Sequence, residues 1–163
     1  MQNHLVLTIK RLCHLTHCTV SVAESCTGGI IAGSLTSLPG SSAYFIGGVV
    51  TYSNRAKTSL IGVPEDSLNR YGAVSREVAL EMARGVRELF GTTFGLSVTG
   101  IAGPSGATAE KPVGLVFIGV SDPRHTQAFR FMLKGSRRQI RAITSMKALR
   151  LLVKVLDGYR GGQ

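Results

Sequence analysis

The feature that most restricts the fold is a recurring pattern: a short apolar run that halts at a Gly-, Ser- or Thr-rich loop, which after the first two runs opens a helical stretch and after the third leads through residues 102–112 to further strands. Residues 18–23 (C-T-V-S-V-A), 44–52 (Y-F-I-G-G-V-V-T-Y) and 94–101 (F-G-L-S-V-T-G-I) have the length and bounding residues of buried strands. Residues 27–38 read as a helix closed by Pro39-Gly40. Ser53 suits a helix N-cap and Gly62 its C-terminal stop; Ser75 opens a longer helix, with Glu77 in its first turn and Gly91 just past its end. Residues 113–121 and 125–133 are joined by D-P-R alone, so short a link that the two strands must run antiparallel. Leu5, Ile9, Leu12 and Leu15 place a helix over 3–16, and Ser136 with Gln139 forms a capping box that opens a helix to about Leu156. Strands alternating with helices and ending in a hairpin predict an α/β sandwich with a mixed sheet of about five strands.

At 163 residues, without internal repeat or linker, the chain reads as one domain over 1–163, with 158–163 as a frayed tail. Residues 25–54 carry no charge, but S-C-T-G-G and P-G-S-S interrupt them, so no membrane span is expected. The N-terminus shows no basic leader and no small-residue cleavage site, which suits a cytoplasmic protein. Cys13, Cys18 and Cys26 fit a reducing compartment, and C-H-L-T-H-C over 13–18 lacks the second ligand cluster that structural zinc requires, so no metal is expected. Charge is lopsided: residues 124–163 hold ten Lys/Arg against Asp157 alone, while residues 1–123 hold nine against eight acids. A basic segment of that kind attracts phosphate, on nucleic acid or on a small molecule.

Four segments carry possible chemistry. Glu24-Ser25-Cys26-Thr27-Gly28-Gly29 follows a strand and opens a helix, where backbone N–H groups can hold an anion or oxyanion. Tyr52 to Lys57 sits at a second strand end; burial there would convert Lys57 into a base of the Ser–Lys type. Thr99 to Gly106 leaves a third strand with glycines that free backbone amides for close contact. Arg137, Arg138 and Arg141 crowd the first turns of the last helix against its macrodipole, a local conflict that a bound phosphate would resolve.

Together these segments resemble the CinA C-terminal domain family, the nicotinamide-nucleotide amidases. The resemblance rests on A-E-S-C-T-G-G (23–29), P-G-S-S-A (39–43), V-T-Y-S-N-R-A-K (50–57), G-A-V-S (72–75), T-G-I-A-G-P (99–104), E-K-P-V-G (110–114) and G-S-R-R-Q-I-R (135–141), in order along nearly the whole chain. It implies a three-layer α/β/α sandwich with a mixed, mostly parallel sheet, like the anticodon-binding domains, and no metal or cofactor. It also implies hydrolysis of nicotinamide mononucleotide to nicotinate mononucleotide and ammonia, within pyridine-nucleotide recycling. In longer members this domain follows an N-terminal partner domain. The chain departs from the family pattern at Ile46-Gly47, where an acid and a base are usual, and at Ser105-Gly106-Ala107, where D-G-G is usual.

A metal-free amidase needs a nucleophile, a base and an oxyanion hole. The expected roles are Ser25 as nucleophile, Lys57 as base and Tyr52 as proton relay, with Ser42 and Cys26 as alternative nucleophiles. Amides near Thr27, Gly28 and Gly29, or Gly100 and Gly103, would hold the oxyanion and substrate. Thr99 would contact the carboxamide or ribose, and Arg137 and Arg141 the phosphate. The expected partner is a small pyridine nucleotide, with a homodimer as the expected assembly. A nucleic-acid-binding accessory protein and a catalytically silent nucleotide-binding member are the alternative readings.

Overall fold

The computed structural model describes residues 2–159. Its elements run α1 (Gln2–Thr16), β1 (Val20–Glu24), α2 (Ile30–Leu35), a 3-10 turn (Ser41–Ala43), β2 (Phe45–Val50), α3 (Asn54–Ile61), α4 (Glu65–Tyr71), α5 (Arg76–Phe90), β3 (Phe94–Gly100), β4 (Leu115–Ser121), β5 (Thr126–Met132) and α6 (Arg137–Gly158). The sheet order is β2-β1-β3-β4-β5. β1 pairs in parallel with β2 and β3, and β4 pairs antiparallel with β3 and β5, so β4 alone opposes the direction of the other four strands.

Side-chain alternation in the central strands separates the two helical layers. Val20 and Val22 of β1, Phe94, Leu96 and Val98 of β3, and Val116, Ile118 and Val120 of β4 build the main core with α1, α2 and α6. The opposite face is made small, so that α5 lies almost directly on the sheet. There the Ser97 hydroxyl donates to Ala79 O at 2.6 Å, the Ser21 hydroxyl donates to Val86 O at 3.0 Å, and a Cβ on Gly119 would meet Ala79 O. Ile61 of α3 and Leu68 of α4 join Val78, Met82 and Val86 of α5 in a second cluster on this side. The result is the three-layer α/β/α sandwich.

Helix termini follow the side chains that cap them. Ser53, Ser75 and Ser136 accept N–H bonds at the starts of α3, α5 and α6, and the Ser136–Gln139 capping box is complete. Gly62 and Gly91 close α3 and α5 in left-handed conformations. Three expectations are corrected. The helix expected over 27–38 is confined to Ile30–Leu35, because Gly28 and Gly29 take φ of 58° and 96°, outside helical space. α4 is an unanticipated element: with Leu68 as its only buried residue it has no periodicity to read, although Pro64 followed by Glu65 and Asp66 is a helix-start signal. Gly158 is the last residue of α6, and Tyr159 packs edge-on against Phe94 with ring centroids 5.0 Å apart, so the ordered chain runs two residues into the expected tail; the rest of it, 160–163, lies outside the described residues.

Candidate active site

From β1 the chain crosses to β2 on one side and returns to β3 on the other, which opens a crevice beyond the carboxyl ends of these strands. A pocket of about 270 Å³ occupies it. Ser25 and Cys26 enter from the loop after β1, Tyr52 and Lys57 from the segment after β2, and Thr99 to Gly103 with Ser105 and Gly106 from the end of β3 and its loop. Ala73 and Val74 close one wall, and Arg137 of α6 reaches across the top.

Lys57 is the pivotal group. It lies on the first turn of α3, is only 1% exposed, and places Nζ 3.2 Å from Ser25 Oγ. Nζ also donates to the Thr51 carbonyl at 2.7 Å, which fixes the side chain from a second direction. Among the described residues no carboxylate pairs with it. Burial therefore lowers its amine from the ordinary 10.5 to about 8, against the opposing influence of Cys26. A lysine so placed is available as a base near neutral pH.

Strand alternation decides where the residues around Ser25 go. Glu24, last in β1, turns toward α2 and is buried, while Ser25 turns to α3. The Glu24 carboxylate accepts from the amides of Gly29 at 3.0 Å, Ile31 at 3.2 Å and Ala32 at 2.8 Å. The N-terminal amides of α2, expected to serve as an anion or oxyanion site, are thus already occupied by the chain's own carboxylate. Thr27, Gly28 and Gly29 lie outside the pocket lining. Arg141 is likewise engaged with the chain: its Nε donates to Cys26 O at 3.1 Å and its guanidinium to Thr27 O at 2.7 Å. A Cβ at Gly28 would stand 3.2 Å from that guanidinium, so the glycine allows the close approach. Arg141 braces the loop and does not line the pocket.

The three candidate nucleophiles are sorted by position. Ser42 sits in the 3-10 turn before β2, and because Phe45 pairs with Val20 while Val50 pairs with Glu24, it lies at the opposite end of the sheet from Ser25 within one chain. Cys26 lines the pocket but is buried, and burial pushes its thiol up to about 11, the reverse of the lowering expected at a helix N-terminus. Ser25 alone faces a base.

Arg137 donates to Gly103 O at 2.9 Å and to the Tyr52 hydroxyl at 2.9 Å, bridging two walls of the pocket. Tyr52 is 60% exposed at the pocket rim, and its hydroxyl is bonded to Arg137. The buried Thr99 hydroxyl donates to Ala73 O at 2.7 Å, which ties the β3 exit to the loop before α5. Of the two departures from the family pattern, Ser105-Gly106 does line the pocket, whereas Ile46-Gly47 lies toward the start of β2, away from it. Cys13 and Cys18 lie in the main core, and burial, helped by the nearby Cys18, pushes the Cys13 thiol up to about 12. Among the described residues no three His, Cys, Asp or Glu groups come together as a metal site, and no helix is long and apolar enough to cross a membrane. A larger hollow of about 320 Å³, between α3 and α4, contains Arg55 and Glu65 but no paired nucleophile and base.

The model of the CinA C-terminal domain family matches residues 2–156. A CinA-like protein of Geotalea uraniireducens is 52% identical over 145 residues, 89% of this chain and 34% of that protein. One from Geotalea daltonii is 54% identical over 141 residues, 86% of this chain and 34% of that protein. The chain therefore spans about a third of the length of the curated relatives it matches. Among solved structures, the competence/damage inducible protein CihA from Agrobacterium tumefaciens superposes with a TM-score of 0.90 at 42% identity, covering 96% of this chain and 95% of that one. The competence damage-inducible protein A (ComA) from Klebsiella pneumoniae subsp. pneumoniae MGH 78578 gives 0.94 at 29% identity, covering 98% and 99%.

Proposed function

The chain belongs to the CinA C-terminal domain family, and from that premise we propose that it is a Ser–Lys amidohydrolase that converts nicotinamide mononucleotide to nicotinate mononucleotide and ammonia. The observation that carries this reading is the buried Lys57 amine, lowered to about 8, within 3.2 Å of the Ser25 hydroxyl at the floor of a pocket.

In the proposed reaction the neutral Lys57 amine takes the Ser25 proton as Oγ attacks the carboxamide carbon. The tetrahedral intermediate's oxyanion is met by the Cys26 amide, the N–H next after the nucleophile, which bonds to no backbone carbonyl among the described residues and otherwise faces its own thiol. The Lys57 ammonium then protonates the departing nitrogen, releasing ammonia and leaving an ester on Ser25. Water, deprotonated by the same amine, cleaves that ester and restores Ser25. Two of the five Arg137 N–H donors are committed to Gly103 and Tyr52; the others meet the substrate phosphate. An anion there also offsets the unfavourable cation at the start of α6.

The test is ammonia release from nicotinamide mononucleotide by purified protein with a chelator present. Release that is lost in both Ser25→Ala and Lys57→Met supports the proposal. Release that survives in Ser25→Ala refutes the assigned nucleophile, and silence of the folded wild-type chain refutes the activity.

A further inference from the structure

Glu24 is a buried carboxylate that the proposed reaction does not use, placed one residue before its nucleophile. One oxygen accepts from Gly29 and Ile31 and the other from Ala32, so both are engaged by amides lying five to eight residues ahead. The segment from Ser25 to Gly28 is thereby pulled into a tight arch across the end of β1. Arg141 holds the same arch from outside through the carbonyls of Cys26 and Thr27. The Ser25 amide is fixed to Val98 O at 3.0 Å, which sets the arch against β3. Donors on one flank and acceptors on the other are thus bound by opposite charges on two different elements, and the side chain at the foot of the arch is Ser25.

We propose that Glu24, with Arg141 opposite it, is a positioning residue that holds Ser25 Oγ against Lys57 Nζ. Glu24 touches neither the pocket nor the lysine and acts only through the arch. Its charge also occupies the positive end of α2, which leaves the side chain of Arg137, across the pocket from Lys57, to meet a substrate anion. The inference rests on the Ser25–Lys57 reading above.

The variant that tests it is Glu24→Gln, in which a side-chain NH₂ must face at least one of the backbone N–H groups. The expected crystal structure has Ser25 Oγ out of hydrogen-bond reach of Lys57 Nζ. Ammonia release should show kcat down on the order of 100-fold, the effect of a small misplacement of reacting groups. KM should change by less than about threefold, because the Arg137 wall is untouched. The pH midpoint of kcat/KM should stay near 8, because that value is set by burial of Lys57. An unchanged Ser25–Lys57 contact, a shifted midpoint, or a KM effect without a kcat effect each overturns the proposal. The crystallographic distance needs no substrate, so the clamp is decided even if the wild-type chain releases no ammonia. If Glu24→Gln fails to fold, hydrogen exchange on the unaltered chain decides instead. Slow exchange at the amides of Gly29, Ile31 and Ala32 is expected, and exchange at the rate of an uncapped first turn refutes the clamp.

Discussion

Replacing Lys57 by Met should abolish turnover and yet stabilise the protein. The side chain is 1% exposed, and its amine falls from 10.5 to about 8 on folding. At pH 7 both folded and unfolded chains carry the proton, so the whole difference stands as a cost of about 3 kcal/mol to the native state. Met fills a similar volume without a charge, but it leaves the Thr51 carbonyl without its 2.7 Å donor, a loss of about 1 kcal/mol. The expected net gain is about 2 kcal/mol, or a Tm rise of roughly 4–8 °C for a chain of this size. The sign with pH follows from proton counting. Between pH 8 and 10.5 the unfolded chain binds more protons than the folded one, so wild-type stability rises through that window while the variant lacks this contribution. By pH 10 the cost has fallen to about 1 kcal/mol, and the advantage of the variant should vanish. Thermal unfolding of both proteins at pH 7 and pH 10 gives the comparison. A variant less stable than wild type at pH 7, or a gap independent of pH, would refute the claim that Lys57 is held in the core against its own desolvation.

Further outcomes follow from the same geometry. The kcat/KM for ammonia release should rise about tenfold per pH unit below pH 8 and level off above it, since only the neutral Lys57 amine acts as base; a profile flat from pH 6 to 9 would contradict that role. Arg137→Met should raise KM for nicotinamide mononucleotide about 10- to 100-fold, the worth of a charge-assisted bond. The same change should barely affect the dephosphorylated nucleoside, and equal losses on both substrates would place the phosphate elsewhere. Gly85→Ala should lower stability by about 1–3 kcal/mol, because the added Cβ runs into the Ile61 carbonyl where α5 crosses the end of α3. A denaturant titration checks this, and an unchanged midpoint would mean that the two helices can separate at no cost.

The order of strands and helices, α4 apart, and most of their caps were legible in the sequence, because apolar period, Gly stops and Ser caps act over a few residues. Ser53, Ser75, Ser136, Gly62 and Gly91 all act where local chemistry puts them. Local pattern also nominated Ser25, Lys57, Tyr52 and Arg137, each at a strand end or helix start, and these four share one pocket. What no local pattern holds is which way a side chain faces once the strands are registered. The β1 alternation turns Glu24 to α2 and Ser25 to α3, so the carboxylate seals the helix end that the sequence offered as an oxyanion site. Ser42 and Ser25 are alike in sequence, and only the parallel register of β1 with β2 places them at opposite ends of the sheet. Arg141 lies one turn beyond Arg137 on α6, yet it meets the carbonyls of a loop more than a hundred residues away. The residue types and their periods are therefore a property of the sequence. Desolvation of Lys57 and the carbonyl partners of Arg141 depend on contacts distant in the chain, and the turn of Glu24 toward its near neighbours Gly29, Ile31 and Ala32 depends on the set of β1 in the sheet; all of these exist only when the layers close.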